Sequence, residues 1–281
     1  MIEFSNVTKR YGSTIAIDHI DLCASENGIY CLLGRNGAGK TTLMKLLAGH
    51  IAVTEGKITV EGKVVSPSHM PNSVNYIESN SVQFNMMVSE LIEAAAELQE
   101  SFDLDFAKEM TKRFELDPNK KFKRLSFGMK TMLTTIMTLA NNSQVILLDE
   151  PTLGFDAIMR NQFNDLLLEG YQAHHRIIIV STHLIDEIAK VAEQLLIIDK
   201  GRIILKASIN DIDEKAYILS GTTKDILPLL NGLNCIGKTT AGSITAAYIY
   251  DDRIIPPEGV TIDHLGLQDF FINLVKEESH E

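Results

Sequence analysis

The chain has 281 residues, 45% of them hydrophobic, which is enough for one large domain or for a large and a small one. Its formal net charge of −11 disfavours nonspecific binding to nucleic acid or to an anionic membrane surface. No apolar run approaches the roughly 20 residues that a membrane-spanning helix needs, and the three cysteines lack metal-binding spacing, so we expect no membrane span and reduced cysteines.

The first section of the chain is predicted to form antiparallel strands. Residues 2–8 and about 15–23 alternate apolar and polar side chains, as half-exposed strands do, with a turn at Gly12. Tyr11 lies just before that turn, and a short hairpin is predicted over about 57–65. We expect these strands to form a β layer beside the strand that leads into the next motif.

The segment from Gly34 to Thr42 contains the complete phosphate-binding pattern G-x-x-x-x-G-K-[ST]. An apolar segment over residues 29–33 precedes it and predicts a buried strand. Apolar residues at helical spacing follow it and end at a glycine, which predicts a helix. The order strand, glycine-rich loop, helix is the context that this pattern requires.

The residue types of this segment suit a nucleotide phosphate. Its glycines let backbone N–H groups turn inward, and the following helix directs its positive end to the same place. Lys40 would supply positive charge to the β- and γ-phosphates, Thr41 a hydroxyl to Mg²⁺, and Thr42 a contact with an inner phosphate. An ordinary strand–turn–helix is the alternative. The predicted phosphate-binding residues are Gly34, Arg35, Asn36, Gly37, Ala38, Gly39, Lys40, Thr41 and Thr42.

A helical segment follows a predicted strand that ends at Glu78. One helix is predicted to start with Ser89 as its N-cap, a second spans about 104–115, and a long one covers about 127–141. We therefore predict a helical subdomain over about 86–141.

The sequence then alternates continuous apolar strands with helices, which is typical of a parallel sheet covered on both faces. Strands are predicted over 145–148, 176–180 and 195–198, with helices over about 157–170 and 184–192. In such sheets, ligand-binding groups lie at the carboxyl ends of the strands.

Two acids and a histidine occupy such ends. Asp149 ends one strand, where a P-loop enzyme places the carboxylate that organises Mg²⁺. Glu150 could polarise a water for attack on the γ-phosphate, and His183 closes the next strand and could donate to that phosphate. The alternatives are a solvated turn for the acids and a capping role for His183.

The pattern weakens over residues 208–281. Short strands at about 216–219, 233–236 and 244–249 and a terminal helix over about 266–276 predict a small α+β appendage.

Together these motifs resemble the ATP-binding subunits of ABC transporters, and the resemblance covers roughly residues 1–207 as one ATP-binding domain. It implies an α/β P-loop NTPase with a RecA-like parallel sheet core, an antiparallel β subdomain and an inserted helical subdomain. The matching segments are Tyr11 for the A-loop aromatic that stacks on adenine, residues 34–41 for Walker A, Glu78 for the Q-loop, residues 125–129 for the signature motif, residues 145–150 for Walker B, residues 153–156 with Asp156 for the D-loop, and His183 for the switch histidine.

The resemblance also implies how these residues act. Lys40, Glu150 and His183 would be the catalytic residues, ATP the nucleotide, and Mg²⁺ the metal, held by Thr41, Asp149 and Glu78. Ser126 caps the long helix, and its hydroxyl with the Gly128 amide would form a second phosphate site. In the family that site completes the ATP site of a second subunit paired head to tail.

The implied partners are a membrane permease and a second ABC ATPase, identical or different, without nucleic acid. The implied location is the cytoplasmic face of the cell membrane. The signature ending in Gly-Met-Lys, the acidic Q-loop and the short appendage resemble bacterial exporter ATPases of the peptide and antimicrobial-resistance type, which implies export.

Several positions depart from the family pattern. Phe127 and Met129 stand where the signature usually has glycine and glutamine. Glu78 stands where the Q-loop usually has glutamine, and Gln83 is a weaker candidate for that position. The D-loop lacks its usual serine. The signature changes motivate the alternative of a regulatory or sensing ATPase with little turnover. A further alternative is a soluble ABC protein acting on ribosomes or DNA, against which the single ATP module and the acidic charge argue.

Overall fold

The fold is described from a computed structural model, which describes residues 1–78, 84–183 and 185–277, with the backbone alone for residues 186, 187 and 277. Gln83 lies outside these residues. The chain divides into two compact units, Met1–Leu205 and Lys206–Glu281. None of the helices in the described ranges is long and apolar enough to cross a membrane.

The elements are numbered in chain order. The strands are β1 (Ile2–Tyr11), β2 (Thr14–Ala24), β3 (Gly28–Leu33), β4 (Glu55–Val60), β5 (Lys63–Val64), β6 (Val74–Glu78), β7 (Val145–Asp149), β8 (Ile177–Thr182), β9 (Gln194–Asp199), β10 (Arg202–Ser208), β11 (Ala216–Thr222), β12 (Cys235–Ala241), β13 (Ile244–Tyr250) and β14 (Thr261–His264). The helices are α1 (Lys40–Leu47), α2 (Val88–Leu98), α3 (Leu104–Arg113), α4 (Phe127–Ala140), α5 (Ala157–Ala173), α6 (Ile185–Ile188), α7 (Ile209–Lys215), α8 (Thr223–Leu229) and α9 (Leu267–Glu277), with a 3₁₀ turn at Phe122–Arg124.

The first section forms the expected antiparallel layer, a four-stranded sheet in the order β2-β1-β4-β5. The hairpin between β4 and β5 turns at Glu61 and Gly62, whose φ angles are 51° and 76°. Two successive left-handed residues make a turn whose twist matches that of the strands it joins. The buried side chains of this sheet join one core cluster with those of α1 and of the neighbouring parallel strands.

The second sheet positions the candidate site. It has six strands in the order β10-β9-β3-β8-β7-β6, and β3 pairs in parallel with β8 and β9, as β7 does with β8 and β6. Leu33 pairs with Thr182, Asp149 with Ser181, and Glu78 with Asp149. These carboxyl ends therefore lie side by side at one edge, and the predicted P-loop NTPase architecture is confirmed.

The helical segment starts differently from the prediction. Ser89 is not the N-cap of α2, because the helix already begins at Val88 and Met87 occupies the cap position. The Glu90 carboxylate accepts a hydrogen bond of 2.7 Å from the Met87 N–H. A carboxylate that reaches back from the first turn satisfies an N–H that the helix leaves without an internal partner, so no serine cap is needed.

The predicted helix over 184–192 is also shorter than expected. Regular helix covers only Ile185–Ile188, and turns follow it. The apolar side chains of Val191 and Ala192 are nevertheless buried. The apolar residues at helical spacing over 185–192 thus mark buried side chains, and this burial continues past the end of the helix.

The second unit is a four-stranded antiparallel sheet in the order β12-β13-β11-β14 with short helices. Its core cluster includes Tyr217, Leu219, Ile226, Ala247 and Ile249, contributed by β11, α8 and β13. The sequence did not predict β10, α7, α8 or β14. The last three have four to seven residues, too few for apolar spacing to distinguish helix from strand.

Candidate nucleotide-binding site

The glycine-rich loop lies at the carboxyl end of β3 and leads into α1. A Cβ atom at Gly34 would lie 2.5 Å from the Ile198 carbonyl oxygen, and one at Gly39 would lie 2.7 Å from that of Ala16. Gly39 also has a φ angle of +114° and occupies the N-cap position of α1. Only glycine fits these close approaches, and the loop that results ends at a helix N-terminus, where backbone N–H groups favour an anion.

Lys40 directs its charge back into this loop. Its side chain is 7% exposed, and Nζ donates a 2.8 Å hydrogen bond to the Gly34 carbonyl oxygen. The same Nζ lies 3.4 Å from Glu150 Oε1. The ammonium group therefore joins the loop to the carboxylate that follows β7.

Glu150 connects Lys40 to His183. Its Oε2 lies 2.8 Å from His183 Nδ1, while its Oε1 faces Lys40. The backbone of Glu150 has a φ angle of 48°, and its N–H lies 3.2 Å from the Ser181 carbonyl oxygen and 2.9 Å from Ser181 Oγ. A left-handed glutamate is strained, and strain of this kind is typical of functional sites.

Asp149 is held by hydroxyl groups of two neighbouring strands. It is 5% exposed; Ser181 Oγ donates to Oδ1 at 2.5 Å, and the Tyr76 hydroxyl donates to Oδ2 at 3.3 Å. Burial of the Tyr76 phenol, together with the Asp149 and Glu78 charges, raises the pKa of Tyr76, so the phenol keeps its proton and donates. Sequence reasoning missed both hydroxyl groups, although the strand register would have placed Ser181 beside Asp149.

Glu78 pairs with a lysine that the sequence analysis did not single out. Lys45 Nζ lies 3.0 Å from Glu78 Oε1, and the two side chains are 29% and 43% exposed. Lys45 follows Thr41 by four residues on α1, and that helical spacing would have placed it on the same face. The acid expected at the Q-loop thus has a cationic partner beside the phosphate-binding loop.

The signature segment forms a helix cap, as expected. Ser126 is exposed and occupies the N-cap position of α4, where its Oγ accepts a 3.2 Å hydrogen bond from the Met129 N–H. The Phe127 ring is half-buried against Gly154, since a Cβ built there would lie 3.4 Å from Phe127 Cδ1. The bulky residue of the signature therefore packs on the chain's own D-loop segment.

Two further predicted residues make their contacts elsewhere. Asp156 caps α5, and its Oδ1 accepts a 2.9 Å hydrogen bond from the Met159 N–H. Tyr11 is 50% exposed at the end of β1, with Lys9 Nζ 5.0 Å from its ring centroid. The structure thus brings together the predicted residues at the carboxyl ends of β3, β6, β7 and β8, while the Tyr11 ring is half-exposed.

The chain is similar to proteins of one family. The family described as ABC transporter matches residues 17–153. An uncharacterised ABC transporter ATP-binding protein of Methanocaldococcus jannaschii is 31% identical over 220 residues, which are 77% of this chain and 81% of that protein. The Nod factor export ATP-binding protein I of Burkholderia orbicola is 28% identical over 313 residues, covering 100% of this chain and 98% of that protein.

A solved structure shares the fold. It is a dimeric ATP-binding cassette in a post-hydrolysis state with ADP and Pi bound, and it superposes with a TM-score of 0.64 at 20% sequence identity. The match covers 74% of this chain and 99% of that chain.

Proposed function

The chain belongs to the ATP-binding proteins of the ABC transporter family, and from this premise we propose that it is an ATP-hydrolysing motor subunit that couples head-to-tail dimer closure to substrate export by a separate membrane permease. The contact chain from Lys40 through Glu150 to His183, beside the glycine-rich loop, carries this proposal. These contacts join an ammonium, a carboxylate and an imidazole in one network, and in phosphoryl transfer to water these groups would serve as phosphate ligand, general base and orienting group.

The nucleotide would be held by backbone N–H groups of residues 34–42 and by Lys40. The close approaches at Gly34 and Gly39 support this assignment, because they let the loop pack directly against the Ile198 and Ala16 carbonyl groups and lead into the N-terminus of α1, where main-chain donors favour an anion. Tyr11 would stack on the adenine, for which its half-exposed ring is suited. We also assign Asp156 to the nucleotide surroundings, since it is the last residue of the segment that resembles the D-loop.

Thr41 and Asp149 suit Mg²⁺, because both offer oxygen ligands and Asp149 is held in place by two hydroxyl donors. When bound, Mg²⁺ would neutralise phosphate charge. Glu78 is a third candidate ligand, and its ion pair with Lys45 would offset the repulsion between this acid and a triphosphate.

Glu150 would act as the general base that takes a proton from the attacking water at its carboxylate. His183 would orient this carboxylate through the 2.8 Å contact and respond to the state of the phosphate. Lys40 would leave Glu150 for the phosphates when nucleotide is present, which would free the Glu150 carboxylate for the water. On this proposal the residues of this network serve both nucleotide binding and turnover.

The Ser126 hydroxyl and the Gly128 amide at the start of α4 would complete the ATP site of a second subunit, identical or different. The packing of Phe127 on Gly154 supports this assignment, because it leaves Ser126 exposed at the cap.

We further propose a position at the cytoplasmic face of the membrane, held there by the permease. The acidic Q-loop and the signature ending in Gly-Met-Lys support the peptide and antimicrobial-resistance exporter subclass.

Purification of the tagged full chain from its own host tests this proposal. We expect an integral membrane protein to co-purify with the chain and the complex to hydrolyse ATP well above the rate of the isolated chain. Co-purification with ribosomes, or a membrane complex with only background ATP turnover, would contradict it and favour one of the two alternative classes.

A further inference from the structure

A buried arginine lies outside the nucleotide site, immediately before β8. Arg176 is 1% exposed and is among the largest fully buried side chains of the described residues. Desolvation lowers the pKa of its guanidinium to about 10, which still leaves it charged at neutral pH. A buried cation is costly unless hydrogen bonds compensate it, so its partners show what it does.

The guanidinium binds backbone carbonyl oxygens around the end of α4. Nη2 donates to Leu139 at 3.0 Å, and Nη1 donates to Asn141 at 2.6 Å and more weakly to Ser143 at 3.4 Å. Nε donates to the His174 carbonyl oxygen at 3.1 Å. One planar group thus joins the end of α4 to the segment between α5 and β8.

The end of α4 needs such a partner. A helix leaves its last carbonyl groups without internal donors, and its carboxyl end favours a positive charge. The last turn of α4 contains no basic residue. Arg176 supplies the missing cation from a different part of the chain.

Other elements meet at the same point. The Asp103 N–H donates a 2.8 Å hydrogen bond to the Ala140 carbonyl oxygen, and Asp103 also caps α3. The end of α4 is therefore fixed to the start of α3 and, through Arg176, to the start of β8.

Both elements that Arg176 joins lead to the functional residues. α4 has 14 residues, so Ser126 lies about 21 Å away at its other end. β8 carries Ser181, which contacts both acids of the site, and leads to His183. Because a helix is stiff, a small rotation at its carboxyl end displaces its amino end.

We propose that Arg176 is a positioning residue that sets the orientation of α4 against β8 and thereby places the Ser126 cap for the ATP site of the second subunit. This inference rests on the function proposed above. On this proposal, Arg176 contributes to closure of the dimer. It does not contribute to the binding of ATP by a single chain.

The test uses Arg176→Lys and Arg176→Gln, each combined with Glu150→Gln so that the ATP-bound dimer persists. Lysine keeps the charge but lacks the planar fork that reaches several carbonyl oxygens, and glutamine removes the charge as well. We expect ATP to bind the monomer within about twofold of the Glu150→Gln parent, while the dimer association constant falls about tenfold for lysine and further for glutamine. The readouts are equilibrium ATP binding under monomeric conditions, sedimentation with ATP, and the midpoint of thermal unfolding.

Arg113→Gln is the matched control. It removes an exposed ion pair with Glu169 that also ties the helical segment to α5, but it leaves the end of α4 intact. Combined with Glu150→Gln, this variant should have the same dimer association constant as the Glu150→Gln parent.

Two results would overturn the inference. One is a folded Arg176→Lys variant that dimerises as tightly as the parent. The other is a loss of ATP binding that equals the loss of dimerisation, with both losses in proportion to the drop in the midpoint of thermal unfolding. A purely structural role for Arg176 predicts that result. If the glutamine variant does not fold, the lysine variant decides. A Glu150→Gln parent that does not dimerise with ATP would instead overturn the proposed function, and this inference with it.

Discussion

Replacing Lys40 with alanine should lower the affinity for ATP by about thirtyfold or more, because truncating one partner of a buried, hydrogen-bonded charge pair, here Lys40 with the phosphates, costs about 2–5 kcal/mol. Lys40 is 7% exposed and contacts both the Gly34 carbonyl oxygen and Glu150. Alanine removes the charge that would meet the phosphates. Equilibrium binding of a fluorescent ATP analogue measures the loss.

Lys45→Ala is the matched control for this prediction. Lys45 lies on the same helix but pairs with Glu78 at a more exposed position, so its loss should weaken binding far less. Native ATP affinity in a folded Lys40→Ala variant, or an equal loss in the two variants, would show that the glycine-rich loop is not the phosphate site.

Glu150→Gln should reduce ATP hydrolysis about a thousandfold, since it removes the general base while keeping the size of the side chain. Glutamine has one acceptor oxygen where the carboxylate has two, so it cannot face Lys40 with one acceptor atom and His183 with the other, as Glu150 does. ATP should therefore bind but persist, and an ATP-bound dimer should accumulate. Turnover under saturating ATP and size-exclusion chromatography with ATP or ADP measure the two effects.

The contrast with Ser181→Ala sharpens this second prediction. Ser181 contacts Asp149 and the backbone of Glu150 but leaves the base in place, so alanine there should slow turnover without trapping a dimer. A Glu150→Gln chain that hydrolyses ATP at the native rate, or that stays monomeric with ATP, would remove the role assigned to this carboxylate.

The fold and the residues of the central network were predictable because their signals are local. The pattern around Gly34 and Lys40 depends on consecutive residues, and the apolar runs before Asp149 and His183 mark strand ends directly. The parallel arrangement of those strands then brings their ends together without further information.

The supporting contacts depend on register and on packing between distant elements. Tyr76 and Ser181 reach Asp149 only because β6, β7 and β8 pair in one register. Arg176 was predicted only as the first residue of the strand over 176–180, and its role becomes visible only when the end of α4 is placed against it. The Ser89 cap was wrong for a similar reason, because the local pattern does not show that Glu90 satisfies the start of α2 instead.

The central claim is that each ATP site is shared between the glycine-rich loop of one chain and the Ser126 cap of another. Mixing differently tagged Lys40→Ala and Ser126→Glu chains, both carrying Glu150→Gln, tests it most directly. Each variant alone lacks a complete site, but the mixed pair restores one, formed by the loop of the Ser126→Glu chain and the cap of the Lys40→Ala chain. We predict that the two tags co-elute with ATP and not with ADP, while neither variant dimerises alone. Folded variants that fail to co-elute with ATP would contradict the account.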